Sequence, residues 1–289
     1  MIDALLQQVF NGVIAGSIYT LIGLGLTLLF GVMGVLNFAH GSIAVFGAYV
    51  TLWLMARAGL PFAAAMIGAA VVAGLLGLFI EATMFRRTRE APINGLIVSV
   101  GLISVFEAAL LATFSSTPQS IPPQFDGVLK AGPVVFAEQR LFVLAATAVL
   151  LAILYGLLNW TQLGRAVRAT AQQPLAARLM GIDIQKIHLV TFATSCVLAS
   201  FAGALYATLF TFTPLTGSDI VLKAFVVVIV GGMGSLPGAV VGGLSLGLIE
   251  SVGTQFINSD YQTALVFGLL ILILIIRPRG LFGALERQA

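Results

Sequence analysis

Charge is the first thing this chain lacks. Asp, Glu, Lys and Arg make up 9% of its 289 residues, against about 25% in an average soluble domain. Hydrophobic residues make up 59%, and mean hydropathy is +1.08. No soluble fold hides that much apolar surface, which excludes a soluble enzyme and a nucleic-acid-binding module. The same numbers exclude intrinsic disorder. Cysteine is almost absent. Cys196 stands alone inside an apolar run, so no internal disulfide forms and the thiol reads as structural. The two histidines, His40 and His188, are too far apart for a zinc site, and no metal site is expected. No His-Glu-x-x-His and no Gly-x-Ser-x-Gly occurs. The Gly-x4-Gly-Lys-Ser/Thr phosphate loop is missing too, so any ATP must be hydrolysed on another chain. No helix carries the row of arginines that a voltage sensor needs. The first residues, Met1-Ile2-Asp3-Ala4, lack the basic stretch that opens a cleaved signal peptide. The net charge of +3 reads as basic residues that orient the chain in a bilayer.

What is present is a series of long charge-free windows. Residues 4–56, 58–80, 141–164, 187–218, 224–249 and 261–276 contain no Asp, Glu, Lys or Arg, and Glu107 alone interrupts 91–125. A spanning helix needs about 20 mostly apolar residues. Spans are therefore predicted near 8–31, 38–56, 61–85, 92–114, 141–160, 188–212 and 258–276. The stretch 218–255 is too long for one upright helix and is broken by glycines. It becomes a half-helix plus a full span, or two short spans. The expected architecture is an all-α polytopic membrane protein of about eight or nine transmembrane helices, one continuous domain over residues 1–289. Arg86, Arg87 and Arg89 share one loop; Arg165, Arg168, Arg178 and Lys186 share a second; Arg277, Arg279 and Arg287 lie in the tail. Placing all three on the cytoplasmic side leaves only Arg57, Lys130, Arg140 and Lys223 for the other. With nine crossings the N-terminus is then external and with eight it is internal; the external orientation is the one expected here. The loop at 115–140 faces outward, and its Pro118, Pro122, Pro123, Pro133 and Asp126-Gly127 are turn formers. It is suited to cap the fold or touch an external partner.

Ionisable residues inside the apolar stretches are few: Glu81, Glu107 and Glu250. Each is costly in lipid and so a functional candidate, though three scattered carboxylates are thin support for proton coupling. Ser218, Asp219 and Lys223 read as a helix start with an N-cap and an i,i+4 pair. Residues 31–41 read Gly-Val-Met-Gly-Val-Leu-Asn-Phe-Ala-His-Gly, and 231–238 read Gly-Gly-Met-Gly-Ser-Leu-Pro-Gly. Broken segments in two halves of a transporter point to its path, which makes Gly31, Gly34, Asn37, His40, Gly41, Gly231, Gly232, Gly234 and Pro237 candidates. The alternative is that these glycines only let helices pack closely, as Gly12, Gly16, Gly242 and Gly247 are expected to do. Asn37 and His40 can equally cap a helix or hold a turn.

The connection at 163–187 is long for a loop between spans. Pro174 suits the first turn of a helix and Gly181 its stop. Between them Leu175, Leu179 and Met180 form an apolar edge and Arg178 a charged one. Such a stub can dock in a groove of a soluble partner or lie on lipid headgroups. Ala176-Ala177-x-x-x-Gly181 resembles the coupling loop of ABC importer permeases, with Leu175 in place of the usual Glu. The stretch around it, the 31–41 and 231–238 motifs, and Arg-Pro-Arg-Gly-Leu-Phe-Gly at 277–283 resemble the branched-chain amino acid permease family of the LivH type. Gln173 stands where that family often has Asp. These landmarks cover nearly the whole chain.

The resemblance implies a transmembrane subunit of an ATP-driven importer in a bacterial inner membrane, for branched-chain or related hydrophobic amino acids. It implies alternating access driven by two cytoplasmic ATPases that carry the ATP and Mg, with no cofactor on this chain. Those ATPases would bind Pro174, Leu175, Ala176, Ala177, Arg178, Leu179, Met180 and Gly181. A second, LivM-like permease and a periplasmic amino-acid-binding protein complete the assembly. The alternative function is a stand-alone secondary carrier or channel for a small polar solute such as urea or an amide, working through Glu107 or Glu250.

Overall fold

The computed structural model describes residues 2–88, 92–131, 134–256, 262–278 and 280–283. The expectations placed on Arg89, Pro133, Arg279 and Arg287 lie outside these residues. The chain runs α1 (Ile2–Met33), α2 (His40–Ala58), α3 (Phe62–Thr83), a 3-10 turn (Phe85–Thr88), α4 (Pro92–Phe114), α5 (Glu138–Trp160), α6 (Gln162–Gln172), α7 (Pro174–Leu179), α8 (Ile184–Ala207), α9 (Thr216–Gly231), α10 (Leu236–Phe256) and α11 (Gln262–Ile276). Among the described residues seven helices, α1 to α5, α8 and α10, are long and apolar enough to cross a membrane. Helices dominate because a backbone in lipid must satisfy its own hydrogen bonds. One departure from an all-α chain is a hairpin of β1 (Val128–Ala131) and β2 (Val134–Ala137). It lies in the connection between α4 and α5, outside the spanning helices, where the backbone is free of that constraint.

Helices α1 and α10 form the densest seam. A Cβ on Gly16 would stand 2.8 Å from the Leu244 Cα, and one on Gly247 would collide with the Gly16 nitrogen. Gly12 and Gly243 repeat the pattern one turn away on each helix, so two small-x-x-x-small stripes meet backbone to backbone. Helix α8 packs against α1, α2 and α3. Around this core, α3 turns Ile67, Val71, Leu75 and Phe79 outward, and α4 turns Ile93 and Ile97 outward. Exposed apolar rows at helical spacing are the faces that meet lipid.

The two ends of the bundle differ. At one, Arg86 donates to Gln185 Oε1 at 2.6 Å, and the tail lies beside the end of α9, with Leu281 N–H donating to Val230 O at 2.8 Å and Phe282 N–H to Gly231 O at 3.0 Å. These bonds satisfy carbonyls that a helix C-terminus leaves open. At the other end, Gln7 of α1 exchanges hydrogen bonds with the Val135 backbone of the hairpin, at 3.1 and 2.9 Å. Among the described residues, Arg86, the start of α8 and the segment 281–282 thus lie away from the end where α1 starts. The connection between α4 and α5 caps its end: Gln119 and Phe212 exchange backbone bonds at 2.9 Å, and Ile121 is buried.

The stretch 218–255 resolves into a half-helix and a full span. Helix α9 has 16 residues and starts inside the bundle, with Gly217 against Ser42 of α2. The break that follows uses Gly232 at φ +100° and Gly234 at φ +82°. Ser235 then caps α10 by accepting from Gly238 N–H at 3.1 Å. The other break follows Gly34 at φ +65°, where Asn37 Oδ1 accepts from Ala39 N–H at 3.1 Å.

Candidate translocation cavity and coupling stub

A cavity of about 610 Å³ opens among α1, the end of α8, α9, α10, α11 and the first turn of α5. Its polar wall includes Asn11, Tyr19, Arg140, Asp219, Lys223 and Glu250. The centre of that wall is an ion pair. Lys223 Nζ donates to Glu250 Oε1 at 2.5 Å and to the Tyr19 hydroxyl at 2.9 Å. The same ammonium lies 4.9 Å from the centre of the Tyr19 ring. Glu250 is 6% exposed and Lys223 25%, so the lysine is the member that faces the open space. Arg140 enters from the end that the hairpin caps, its guanidinium held by Asn11 Oδ1. A charge this deep persists only with a partner. Here the partner comes from across the glycine break.

This corrects the sequence expectation for α9. The helix begins at Thr216, not at a Ser218 cap, and Leu215 holds the N-cap position without a side-chain bond. Lys223 turns to Glu250 and not to Asp219, its i,i+4 neighbour. Ser218 instead donates to Glu107 Oε1 at 3.3 Å. Glu81 is fully buried in the last turn of α3. Of the three intramembrane glutamates only Glu250 lines the cavity.

The nine residues marked from the broken segments do not line this cavity. A Cβ on Gly31 would stand 3.4 Å from the Gly234 Cα, so the two Gly-x-Met-Gly stretches lie in contact. Gly231 packs on the Gly238 backbone, and Gly41 on Gly217. Pro237 sits in the first turn of α10. His40 is sealed, its Nε2 3.1 Å from Ile22 O and its Nδ1 3.4 Å from Ser195 Oγ. Asn37 is equally buried and holds the turn. Sequence reasoning does not mark Tyr19, Arg140, Asp219 and Lys223 as lining residues. The signal available is charge: Lys223 and Glu250 are opposite ionisable groups at the two ends of one apolar run, and each is costly there alone.

The stub at the other end follows the sequence closely. Helix α7 starts with Pro174 in its first turn, and Gly181 stops it at φ +84°. Ile182 N–H returns to Ala177 O at 3.1 Å. Asp183 then caps α8, its carboxylate accepting from the Gln185 and Lys186 N–H groups at 3.1 and 3.2 Å. Those N–H groups, Lys186 N–H first, and the Lys186 ammonium at 3.3 Å hold the Asp183 carboxyl below the usual aspartate range. Ala177 is buried, while Leu175, Leu179 and Met180 are 70, 81 and 83% exposed. Helix α6, which the sequence pattern does not reveal, precedes the stub. Thr161 caps it, accepting from Gly164 N–H at 3.0 Å, and Arg168 donates to Leu158 O at the end of α5.

Comparison with known proteins places the chain in a family. The family model described as branched-chain amino acid transport system / permease component matches residues 8–274. The LivH permease protein of the high-affinity branched-chain amino acid transport system of Escherichia coli K12 is 31% identical, covering 97% of this chain and 96% of that one. BraD of Pseudomonas aeruginosa, described in the same terms, is 32% identical over 97% of this chain and 96% of its own. LivM of Escherichia coli K12 is 27% identical over 94% of this chain and 69% of its own. Among solved structures, PsaBC from Streptococcus pneumoniae in complex with Fab shares the fold, with a TM-score of 0.52, 15% identity, and coverage of 96% of this chain and 91% of that chain. The chain therefore belongs to the family of permease components of branched-chain amino acid transport systems.

Proposed function

We propose that this multi-pass protein is the transmembrane permease subunit of an ATP-driven importer for branched-chain amino acids in a bacterial inner membrane. Its partners in this reading are a LivM-like second permease, two cytoplasmic ATPases that bind ATP and Mg, and a periplasmic amino-acid-binding protein. The observation that carries the reading is α7. A stub whose body is anchored by Ala177 and whose Leu175, Leu179 and Met180 stand bare is built to be gripped. Closure of the ATPase dimer would displace α7, and α8 would follow through the Ile182–Ala177 bond and the Asp183 cap. Because Tyr206 in the last turn of α8 lines the cavity, the displacement reaches the cavity wall at the opposite end.

The test is uptake of labelled L-leucine by cells that lack their own branched-chain importer and express this chain with its partner subunits. Uptake that stops when the ATPase subunits are made hydrolysis-dead supports the reading. Uptake by the purified chain alone in liposomes overturns it in favour of a stand-alone carrier or channel.

A further inference from the structure

The cavity wall carries more charge than packing requires. An ion pair that served only to join α9 and α10 would need no open space beside it. Instead Lys223 keeps a quarter of its side chain open to the cavity. Asp219, one turn earlier on the same helix, lines the same wall. Ile14 and Val266 supply an apolar face. At about 610 Å³ the space falls in the size range of small-molecule sites, about 300–1,000 Å³.

We propose that this cavity reads the charged head of a free amino acid. The α-carboxylate takes the Lys223 ammonium and the Tyr19 hydroxyl, the α-ammonium takes Glu250 and Asp219, and the side chain turns to Ile14 and Val266. The proposal rests on the amino-acid reading above and adds the residues that recognise the ligand. A zwitterion is the ligand chemistry that fits, because it brings one charge of each sign. It inserts into the Lys223–Glu250 pair without changing the net charge of the site, so the bond between the two protein charges is replaced by one to each. A simple anion or cation would leave one member of the pair facing a like charge.

Two experiments on the complete importer test this. In the first, L-leucine uptake is compared among the wild type, Lys223→Met, Asp219→Asn and the exchange Lys223→Glu with Glu250→Lys, with membrane insertion followed by an epitope tag. Removal of the lysine charge is expected to lower uptake by about tenfold or more. The exchange keeps an ion pair but reverses its polarity, and is expected to stay as low. Wild-type uptake in the exchange, or in both single variants, overturns the proposal. In the second, Ala15→Cys at the cavity wall is labelled from outside by a membrane-impermeant maleimide, with no binding protein present; Cys196 is buried. Millimolar L-leucine is expected to slow labelling, and leucinol, which lacks the carboxylate, is expected not to. Equal protection by both, or by neither, overturns the proposal even if the exchanged chain fails to insert. A wild-type importer that takes up no leucine overturns instead the function on which the proposal rests.

Discussion

Replacing Leu179 by Asp tests the grip on α7 most directly. Leu179 is 81% exposed, so its side chain has little to lose within the chain itself, and surface changes of this kind stay within about 0.5 kcal/mol of wild-type stability. Fully covering a leucine contributes about 1.5–3 kcal/mol. Scaled to the exposed share, a partner's groove would gain about 2 kcal/mol from this one side chain. Losing that contact weakens docking about 30-fold, and a carboxylate forced into an apolar groove adds a further penalty. The same change at Met180, 83% exposed, carries a similar loss. The assay is co-purification of the ATPase subunits with the tagged permease, together with ATP hydrolysis stimulated by loaded binding protein in proteoliposomes. Either variant should insert normally, retain less ATPase and lose stimulation. Arg178→Glu should do the same if an acidic group on the partner meets that edge. Wild-type retention and stimulation in Leu179→Asp and Met180→Asp together would refute the role of the stub.

Three further outcomes follow from the packing. Gly16→Val puts side-chain atoms where the Leu244 backbone already stands; overpacking of this kind costs about 1–3 kcal/mol or more, and a lower melting temperature in detergent would show it. Leu281→Pro removes the N–H that reaches Val230 O, leaving an unsatisfied carbonyl at a cost of about 1–3 kcal/mol, visible as loss of thermal stability, whereas Leu281→Ala keeps that bond. The cap at Asp183 has a depressed carboxyl pKa. Its contribution is therefore fully present above the ordinary aspartate value and disappears as pH falls through the lower folded value. The stability difference between wild type and Asp183→Asn should shrink at the acid end of a pH series, and a difference independent of pH would contradict the assignment.

The spans and α7 are legible in the sequence because their signals are local. Charge-free windows mark helices in lipid directly, and Pro174 and Gly181 bracket the stub by their own backbone limits. The positions of the breaks are equally local, since Gly34, Gly232 and Gly234 adopt positive φ. Their use is not. His40 reads as a polar group available to a path, yet Gly25 leaves the space that seals it: a Cβ there would stand 2.8 Å from the ring. The Lys223–Glu250 pair joins residues on either side of a break, and only the return of α10 against α9 decides that Lys223 chooses Glu250 over Asp219. Helix α6 escapes notice because it is short and polar, and its stability comes from Gly164 lying against the Leu158 backbone.

The glycine stripes of α1 and α10 set a limit on motion. With no side chains between them at Gly12, Gly16, Gly243 and Gly247, neither rod can slide or roll without driving one main chain into the other. The pair is thus a stationary keel. Any cycle of opening and closing has to pivot around it, leaving α9, α11 and the helices tied to the stub to do the travelling.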